Sequence, residues 1–412
     1  MENIIYMDNA ATTRLYDEAF YEMLPYLKDS YANPGGVYEY ADDVKRAVAG
    51  ARKDIASTLM ARPEEIYFTS GGTESDNWAL KGVAELAGAG SHIITTSFEH
   101  HAVLNTCKWL EKHGCRVSYV KPDASGLISV SDIEKLICPD TILISMMYVN
   151  NELGTVQPVS KAGALAHERG IIFHTDAVAA YGHIPIDVKK MNIDLLSASG
   201  HKFNGPKGTG LLYVNEKLKL TPFMHGGRQE QGRRGGTENT AGIIGMAAAA
   251  KRHYEKMKED LERRRELDRY FLDKLEENGY SFGGRSGNRR VRINGYDDHH
   301  DNCDIIYPED KGETTETDRS SDRCTERRLP GSLNITIPGI DAEELIVRLG
   351  IEGICISAGA ACASSQDGAS HVLKGIGLDS DAANSTIRIS FNEDNTEDEI
   401  DILFGTIKNI CI

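Results

Sequence analysis

No stretch of this 412-residue sequence approaches the roughly 20 consecutive apolar residues that cross a bilayer as a helix, so a helical membrane span is not expected. Residues 1–8 carry acids and no apolar run, which argues against a secretory signal and for a cytoplasmic protein. Positive charge is short: 46 Lys and Arg stand against 62 Asp and Glu, a net charge of -16. That balance disfavours nucleic acid or an anionic membrane surface as a partner. Eight cysteines scattered through a long chain with no export signal make no disulfide framework, and reduced thiols are expected. His299, His300, Cys303 and Cys324 fall in one polar region, but their spacing matches no closed zinc site, and a solvated loop is expected there. No internal repeat is present.

What remains is an ordinary globular composition, 40% apolar and 26% charged. The length exceeds what one compact core supports, so two domains are expected. Short β-rich runs at 65–69, 92–96, 116–120, 141–146, 170–174 and 210–214 alternate with amphipathic stretches such as 45–59 and 131–136. This alternation predicts an α/β fold around a mostly parallel buried sheet. Residues 245–278 read as one long charged helix suited to connecting domains. Strands return at 332–337 and 385–390, followed by a final helix from about Thr396. Between them, residues 285–328 are polar and predict a long surface excursion.

The segment Ser197-Ala198-Ser199-Gly200-His201-Lys202-Phe203 sets a lysine after a Ser-x-His pair among small residues, 26 positions beyond Asp176. A lysine that forms a Schiff base needs a crowded polar setting, and pyridoxal phosphate (PLP) chemistry adds a carboxylate facing the ring nitrogen. A surface lysine in a turn is the plain alternative. Ser70-Gly71-Gly72-Thr73-Glu74 follows a strand and enters a helix, which suits phosphate; capping of that helix by Thr73 or Ser75 is the other reading. Asp176 ends a buried strand, where a bare carboxylate needs a partner; it could pair with a pyridinium or cap the next helix. His100 also follows a strand and could lie on an aromatic cofactor and shuttle protons as a catalytic residue; a surface loop histidine is the plain alternative. Cys362 sits among small residues and reads as an accessible thiol, whereas Cys355 reads as an inert core residue. Arg388 alternates with apolar residues in a strand and must face a polar site, either a substrate carboxylate or a structural ion pair.

In this order, the segments Asn9-Ala10-Ala11-Thr12-Thr13, Asn33-Pro34, Thr73-Glu74-Ser75, Glu99-His100, Asn150-Asn151-Glu152-Leu153-Gly154, His174-Thr175-Asp176-Ala177, Ser199-Gly200-His201-Lys202, Arg234-Gly235-Gly236-Thr237 and the Cys362 loop resemble the cysteine desulfurases of fold-type I PLP enzymes. The likeness covers nearly the whole chain outside the excursion, on the long-loop branch of the family. It implies a large domain with a mostly parallel seven-stranded sheet over residues 15–255. A smaller α+β domain would comprise 1–14 and 256–412. It also implies PLP as cofactor, L-cysteine as substrate, a homodimer, and a scaffold or carrier protein as sulfur acceptor. Lys202 would bind the cofactor covalently, His100 would stack on its ring, and Asp176 would face its nitrogen. Gly72, Thr73, Ser199 and His201 would hold the phosphate, with Thr237 reaching in from a second subunit. Arg388 would bind the substrate carboxylate, and Asn151 would sit near both the cofactor's phenolic oxygen and the substrate. Cys362 would take the sulfur as a persulfide for iron–sulfur clusters or thiolated products. No resident metal is implied; the one metal contact would be Cys362 to an iron–sulfur cluster during transfer.

Three features depart from the pattern. Ala179 stands where the family carries a glutamine, Tyr38 stands where it carries a histidine, and the excursion is about 30 residues longer than such connections. The sequence also stops soon after its last helix, so docking through a C-terminal tail is not expected. The departures keep two alternatives open. One is a PLP lyase or aminotransferase that does not use Cys362. The other is a non-catalytic relative acting as a scaffold.

Overall fold

The structure is a computed structural model and describes residues 4–281, 289–295, 328–359 and 370–410. Cys362, His299, His300, Cys303 and Cys324 lie outside the described residues.

Seven strands form the main sheet, in the spatial order Ile66–Thr69, Gly210–Val214, Leu195–Ser199, Ile172–Asp176, Thr141–Ser145, His92–Thr96 and Arg116–Val120. Only Gly210–Val214 runs against its neighbours; the other six are parallel. The predicted sheet is therefore present and mostly parallel. Helices Glu39–Thr58, Gly72–Ala87, His101–Lys112 and Val159–Glu168 connect or cover it. Fully buried parallel strands need both faces apolar, and the strands supply Ile93, Ile94, Leu143, Ile144, Phe173, Leu195, Leu196, Leu211 and Leu212 to the cores on the two sides. One consequence positions the site: the carboxyl ends of the parallel strands all lie along one edge, the ligand-binding edge of open α/β sheets.

A second apolar core lies elsewhere in the chain. It is built on a four-stranded antiparallel sheet ordered Arg292–Ile293, Ser332–Thr336, Thr386–Ser390 and Ser357–Ala358. Leu333, Ile335, Ile387 and Ile389 face helices Ala342–Ile351 and Glu397–Ile410 in that core. The N-terminal residues Ile5–Tyr6 pair in parallel with Ile354–Cys355, and Met7 is buried beside them. Helix Thr240–Glu277 spans 38 residues, roughly 57 Å at the α-helical rise. It gives Ile243, Met246 and Met257 to the first core and Leu267, Phe271 and Leu275 to the second.

Three expectations need correcting. Strand 170–174 is displaced by two residues to Ile172–Asp176, which ends on Asp176 as expected. The polar excursion does not begin at 285, because Arg292–Ile293 joins the second sheet and Val291 and Ile293 are buried. Cys355 is only partly buried, not a core thiol, since its two-residue strand lies at the surface pairing with Tyr6.

Candidate active site

A cavity of about 420 Å³ opens at the carboxyl edge of the sheet. Gly72, Thr73, His100, Asn151, Asp176, Ser199, His201, Lys202 and Arg388 all line it. These residues come from six separate stretches of chain. Of the remaining expected residues, Thr237 is exposed and does not line it. Ala179 does, at the wall nearest Lys202.

At one end, Ile66–Thr69 turns into helix Gly72–Ala87 through Gly71, whose φ of +155° belongs to a region only glycine occupies at low cost. No side chain caps this helix. Thr73 and Ser75 are thus not cappers; the Ser75 hydroxyl instead lies within hydrogen-bonding distance of Gly71 and Leu211 carbonyls. The first-turn amides are left pointing toward the cavity end, where an anion is stabilised. A Cβ on Gly72 would lie 2.4 Å from Val178 Cγ2, so the close approach of helix and loop requires glycine. Glu74 fixes the turn from behind. It accepts from Arg234 Nε and Nη2 at 2.8 and 3.1 Å and from the Ser70 amide at 2.8 Å. Burial raises its proton affinity, but these hydrogen bonds outweigh burial and hold its carboxyl below the ordinary value. His201, 3.1 Å from the Thr12 hydroxyl, is held down to about 4 by burial and then by Lys202, so it is neutral near pH 7.

In the middle, Asp176 accepts from the Val178 amide at 2.9 Å, but the chain continues in turns to strand Leu195–Ser199, so there is no following helix for it to cap. One carboxylate oxygen each of Asp176 and Asp76 and one ring nitrogen of His100 lie within 4.8 Å of one another. Burial raises the Asp176 pKa, opposed by His100, the Val178 amide and Lys202. Asp76 was not anticipated. It is 1% exposed, and its Oδ1 has no hydrogen-bond partner among the described residues. Burial, then the Asp176 charge, pushes its pKa well up. Its signal was its place three residues after Thr73, on the same helical face. His100 occupies the N-cap of helix His101–Lys112, where Nδ1 accepts from the Ala102 amide at 3.1 Å. That leaves the ring fixed at the cavity wall. Lys202 Nζ donates to the carbonyls of Ala10 and Ala11 at 2.6 and 2.9 Å, so the N-terminal strand that begins in the second core ends on the lysine.

At the other end Arg388 is 1% exposed. The ion-pair reading is observed: Nη2 pairs with Asp8 at 2.7 Å and Nη1 donates to the Asn151 carbonyl at 3.0 Å, while Nε has no partner among the described residues. Glu152, next to Asn151, is buried and accepts from the Ser370 hydroxyl at 2.5 Å, and Ser370 in turn caps helix His371–Gly375. Burial pushes Glu152 up to about 7.

The arrangement fits a flat, phosphate-bearing aldehyde cofactor. It offers amides and a glycine cradle at one end, a buried carboxylate pair in the middle, an imidazole on the wall and an amine within the cavity. Residues 5–293 and 316–403 match the family described as Aminotransferase class-V, whose members are PLP-dependent. Cysteine desulfurase IscS of Clostridium botulinum (strain Hall) is 42% identical over 411 residues, covering 100% of this chain and 95% of that protein. Cysteine desulfurase IscS of Methanosarcina thermophila is 41% identical, covering 98% and 91%. Among solved structures, a NifS-like protein aligns with a TM-score of 0.84 at 33% identity over 99% of both chains. SspA in complex with cysteine aligns at 0.77 and 36% identity, over 95% of this chain and 100% of that one. The chain belongs to the class-V aminotransferase family and, within it, to the cysteine desulfurases.

Proposed function

We propose that this chain is a PLP-dependent cysteine desulfurase that converts L-cysteine to L-alanine and passes the sulfur to Cys362. The observation that supports it is the convergence of Lys202, His100, Asp176 and Arg388 on one cavity from four distant segments. Bound PLP supplies a conjugated ring that draws electron density from the α-carbon of a linked amino acid. The protein does the rest. The Gly72–Thr73 amides, Ser199 and His201 hold the phosphate, and the Asp176 carboxylate keeps a proton on the ring nitrogen. Arg388 holds the substrate carboxylate, its guanidinium steadied by Asp8 and the Asn151 carbonyl. Lys202 Nζ takes the α-proton and returns it. The substrate Cβ–S bond breaks as the Cys362 thiolate forms a new S–S bond, so cysteine plus thiol gives alanine plus persulfide.

The two cores support a division into residues 15–255 and residues 1–14 with 256–412. The working form is a cytoplasmic homodimer, with Thr237 serving the partner's site. A second copy suits the exposed Phe20, Tyr21, Leu24 and Leu27 on helix Asp17–Lys28, with exposed Tyr31, Val37 and Tyr38 following it. The sulfur acceptor is a scaffold or carrier protein serving iron–sulfur clusters or thiolated products. The test is anaerobic incubation with L-cysteine, trapping of the persulfide and mapping by mass spectrometry. Alanine should appear, with the extra sulfur on Cys362; in Cys362→Ser the visible cofactor colour should remain while both products vanish. Persulfide on another cysteine, or none, would remove this reading.

A further inference from the structure

Behind Lys202 lies a buried charged network that the proposed chemistry does not use. His183 Nε2 stands 2.9 Å from the Lys202 carbonyl oxygen. A carbonyl only accepts, so Nε2 carries the proton and Nδ1 is bare. Nδ1 is 3.1 Å from Arg264 Nη1, which must donate to it. The tautomer is therefore fixed from both sides. Burial, then the Arg264 charge, holds His183 down to about 4, so this ring is a neutral connector throughout the working range.

Arg264 is 3% exposed on helix Thr240–Glu277, between Leu261 of the first core and Leu267 of the second. Its Nη2 lies 3.5 Å from Glu393 Oε2, and Glu393 also accepts from the Tyr16 hydroxyl. Room is made for it by Gly331: a Cβ there would lie 2.9 Å from Arg264 Cδ and 2.9 Å from the Phe391 carbonyl. Arg264, Glu393, His183 and Lys202 line a second cavity of about 50 Å³. It shares Ala10, Val149, Asn151, Ala179 and Lys202 with the cofactor cavity. Ala179, where the shared wall carries only a methyl group, lines both cavities. Two buried charges are costly to hold, and a buried ion pair is a weak device for stability alone. What this pair does accomplish is geometric: it joins the main chain at Lys202 to the core that carries Arg388.

We propose that Arg264 is a positioning residue: through His183 it sets the main chain of Lys202 relative to the Arg388 side of the site, and it places a fixed positive charge behind the lysine. This rests on Lys202 being the amine that binds the cofactor. Other charged groups surround Lys202 as well: Asp76, His100, Asp176, His201 and Arg388 from the cofactor cavity, and Glu393 from behind. His253 touches His183 edge-on at 5.4 Å between ring centres. Replacing Arg264 leaves the groups of the cofactor cavity in place and removes the ion-pair partner of Glu393.

The experiment uses holoenzyme carrying Arg264→Gln, Arg264→Lys, His183→Leu or His183→Gln. It measures the pH midpoint of the cofactor's visible absorbance, kcat and KM for L-cysteine, and melting temperature. Loss of a nearby cation favours the protonated form of the lysine-linked nitrogen, so Arg264→Gln should raise the midpoint by on the order of half a pH unit. Displacement of Lys202 should lower kcat roughly tenfold. Arg264→Lys should bring the midpoint back toward native. His183→Leu should lower kcat similarly, and His183→Gln, which keeps a donor for the Lys202 oxygen and an acceptor for Arg264, should recover most of it. A native midpoint and native kcat in Arg264→Gln, whatever its melting temperature, would overturn the proposal. Should that variant not hold cofactor, native kcat in His183→Leu would overturn it equally. Borohydride reduction followed by peptide mapping separates the two failures, because an unmodified Lys202 would strike the underlying assignment rather than the role of Arg264.

Discussion

Glu99 shows how much of this site depends on protons held inside the protein. It is fully buried; Oε1 accepts from the Thr96 hydroxyl at 2.7 Å and the Met147 amide at 2.9 Å, and Oε2 has no partner among the described residues. Burial pushes its carboxyl from the ordinary 4.5 up to about 8. The native state therefore keeps it protonated at neutral pH, while the unfolded chain releases that proton above about 4.5. Its contribution to stability is complete below that value, falls as pH rises through about 8, and is level beyond. The amount lost is on the order of several kcal/mol. Glu99→Gln keeps the shape and cannot ionise. Its melting temperature should gain on the native protein's from pH 5 to pH 8.5; parallel curves over that range would contradict the assignment. The sequence displayed Lys202, His100, Asp176 and Arg388 because each stands beside a strand end or in apolar alternation. Asp76, Glu99, Glu152, His183 and Arg264 were not legible as a set. Nothing local marks a charged residue as buried; that is decided by chain that arrives from elsewhere in the sequence, as Met147 does at Glu99 and Arg264 at His183.

At the level of elements, the glycines at helix starts and in helix interiors make opposite demands. Gly72 begins Gly72–Ala87, and an added Cβ meets Val178 at 2.4 Å. Gly50 lies inside Glu39–Thr58, is exposed, and has nothing within 4 Å of an added Cβ. Gly50→Ala should therefore stabilise the protein by about 0.5–1 kcal/mol and leave PLP affinity alone. Gly72→Ala should push helix and loop apart and weaken PLP binding at least tenfold, which spectroscopic titration of apoprotein would measure. Equal PLP affinities in the two variants would show that the Gly72 turn does not cradle the phosphate. Strand reading from sequence succeeded where β-branched and aromatic residues cluster, as at His92–Thr96, Arg116–Val120 and Gly210–Val214. It missed Leu195–Ser199, the strand that delivers Lys202, because Ser197, Ala198 and Ser199 carry no strand preference. That strand is held by pairing on both sides, with Ile172–Asp176 and Gly210–Val214. Small residues are what the site needs there, since a larger side chain at Ala198 or Ser199 would occupy the sheet edge under the cofactor cavity. The direction of Gly210–Val214 was also not legible, because alternation of apolar residues is the same read either way.

For the whole molecule, the question is what covers the aromatic face near the N-terminus. Helix Asp17–Lys28 packs against the long helix through Ala19 and Met23, the latter 2.5 Å from an added Cβ on Gly245. Its outer side leaves Phe20, Tyr21, Leu24 and Leu27 exposed at spacings of one, three and three residues, which is one broad helical face. Tyr31 and Tyr40 stack edge-to-face beside Val37, which is 100% exposed. A monomer rarely leaves so much contiguous apolar surface in water. Thr237 is exposed and does not line the cavity of its own chain. If a second copy covers the aromatic face and Thr237 enters the partner's site, assembly and cofactor retention must be coupled. Tyr21→Glu combined with Leu24→Glu places two buried charges in that interface, a cost of several kcal/mol that association has to overcome. Sedimentation should then find the native protein as a dimer and the double variant as a monomer at micromolar concentration, and the monomer should lose PLP on dialysis faster than the dimer. A double variant that stays dimeric with native PLP retention would place the interface elsewhere. A variant that becomes monomeric yet holds PLP as tightly would keep the dimer and remove Thr237 from the partner's site.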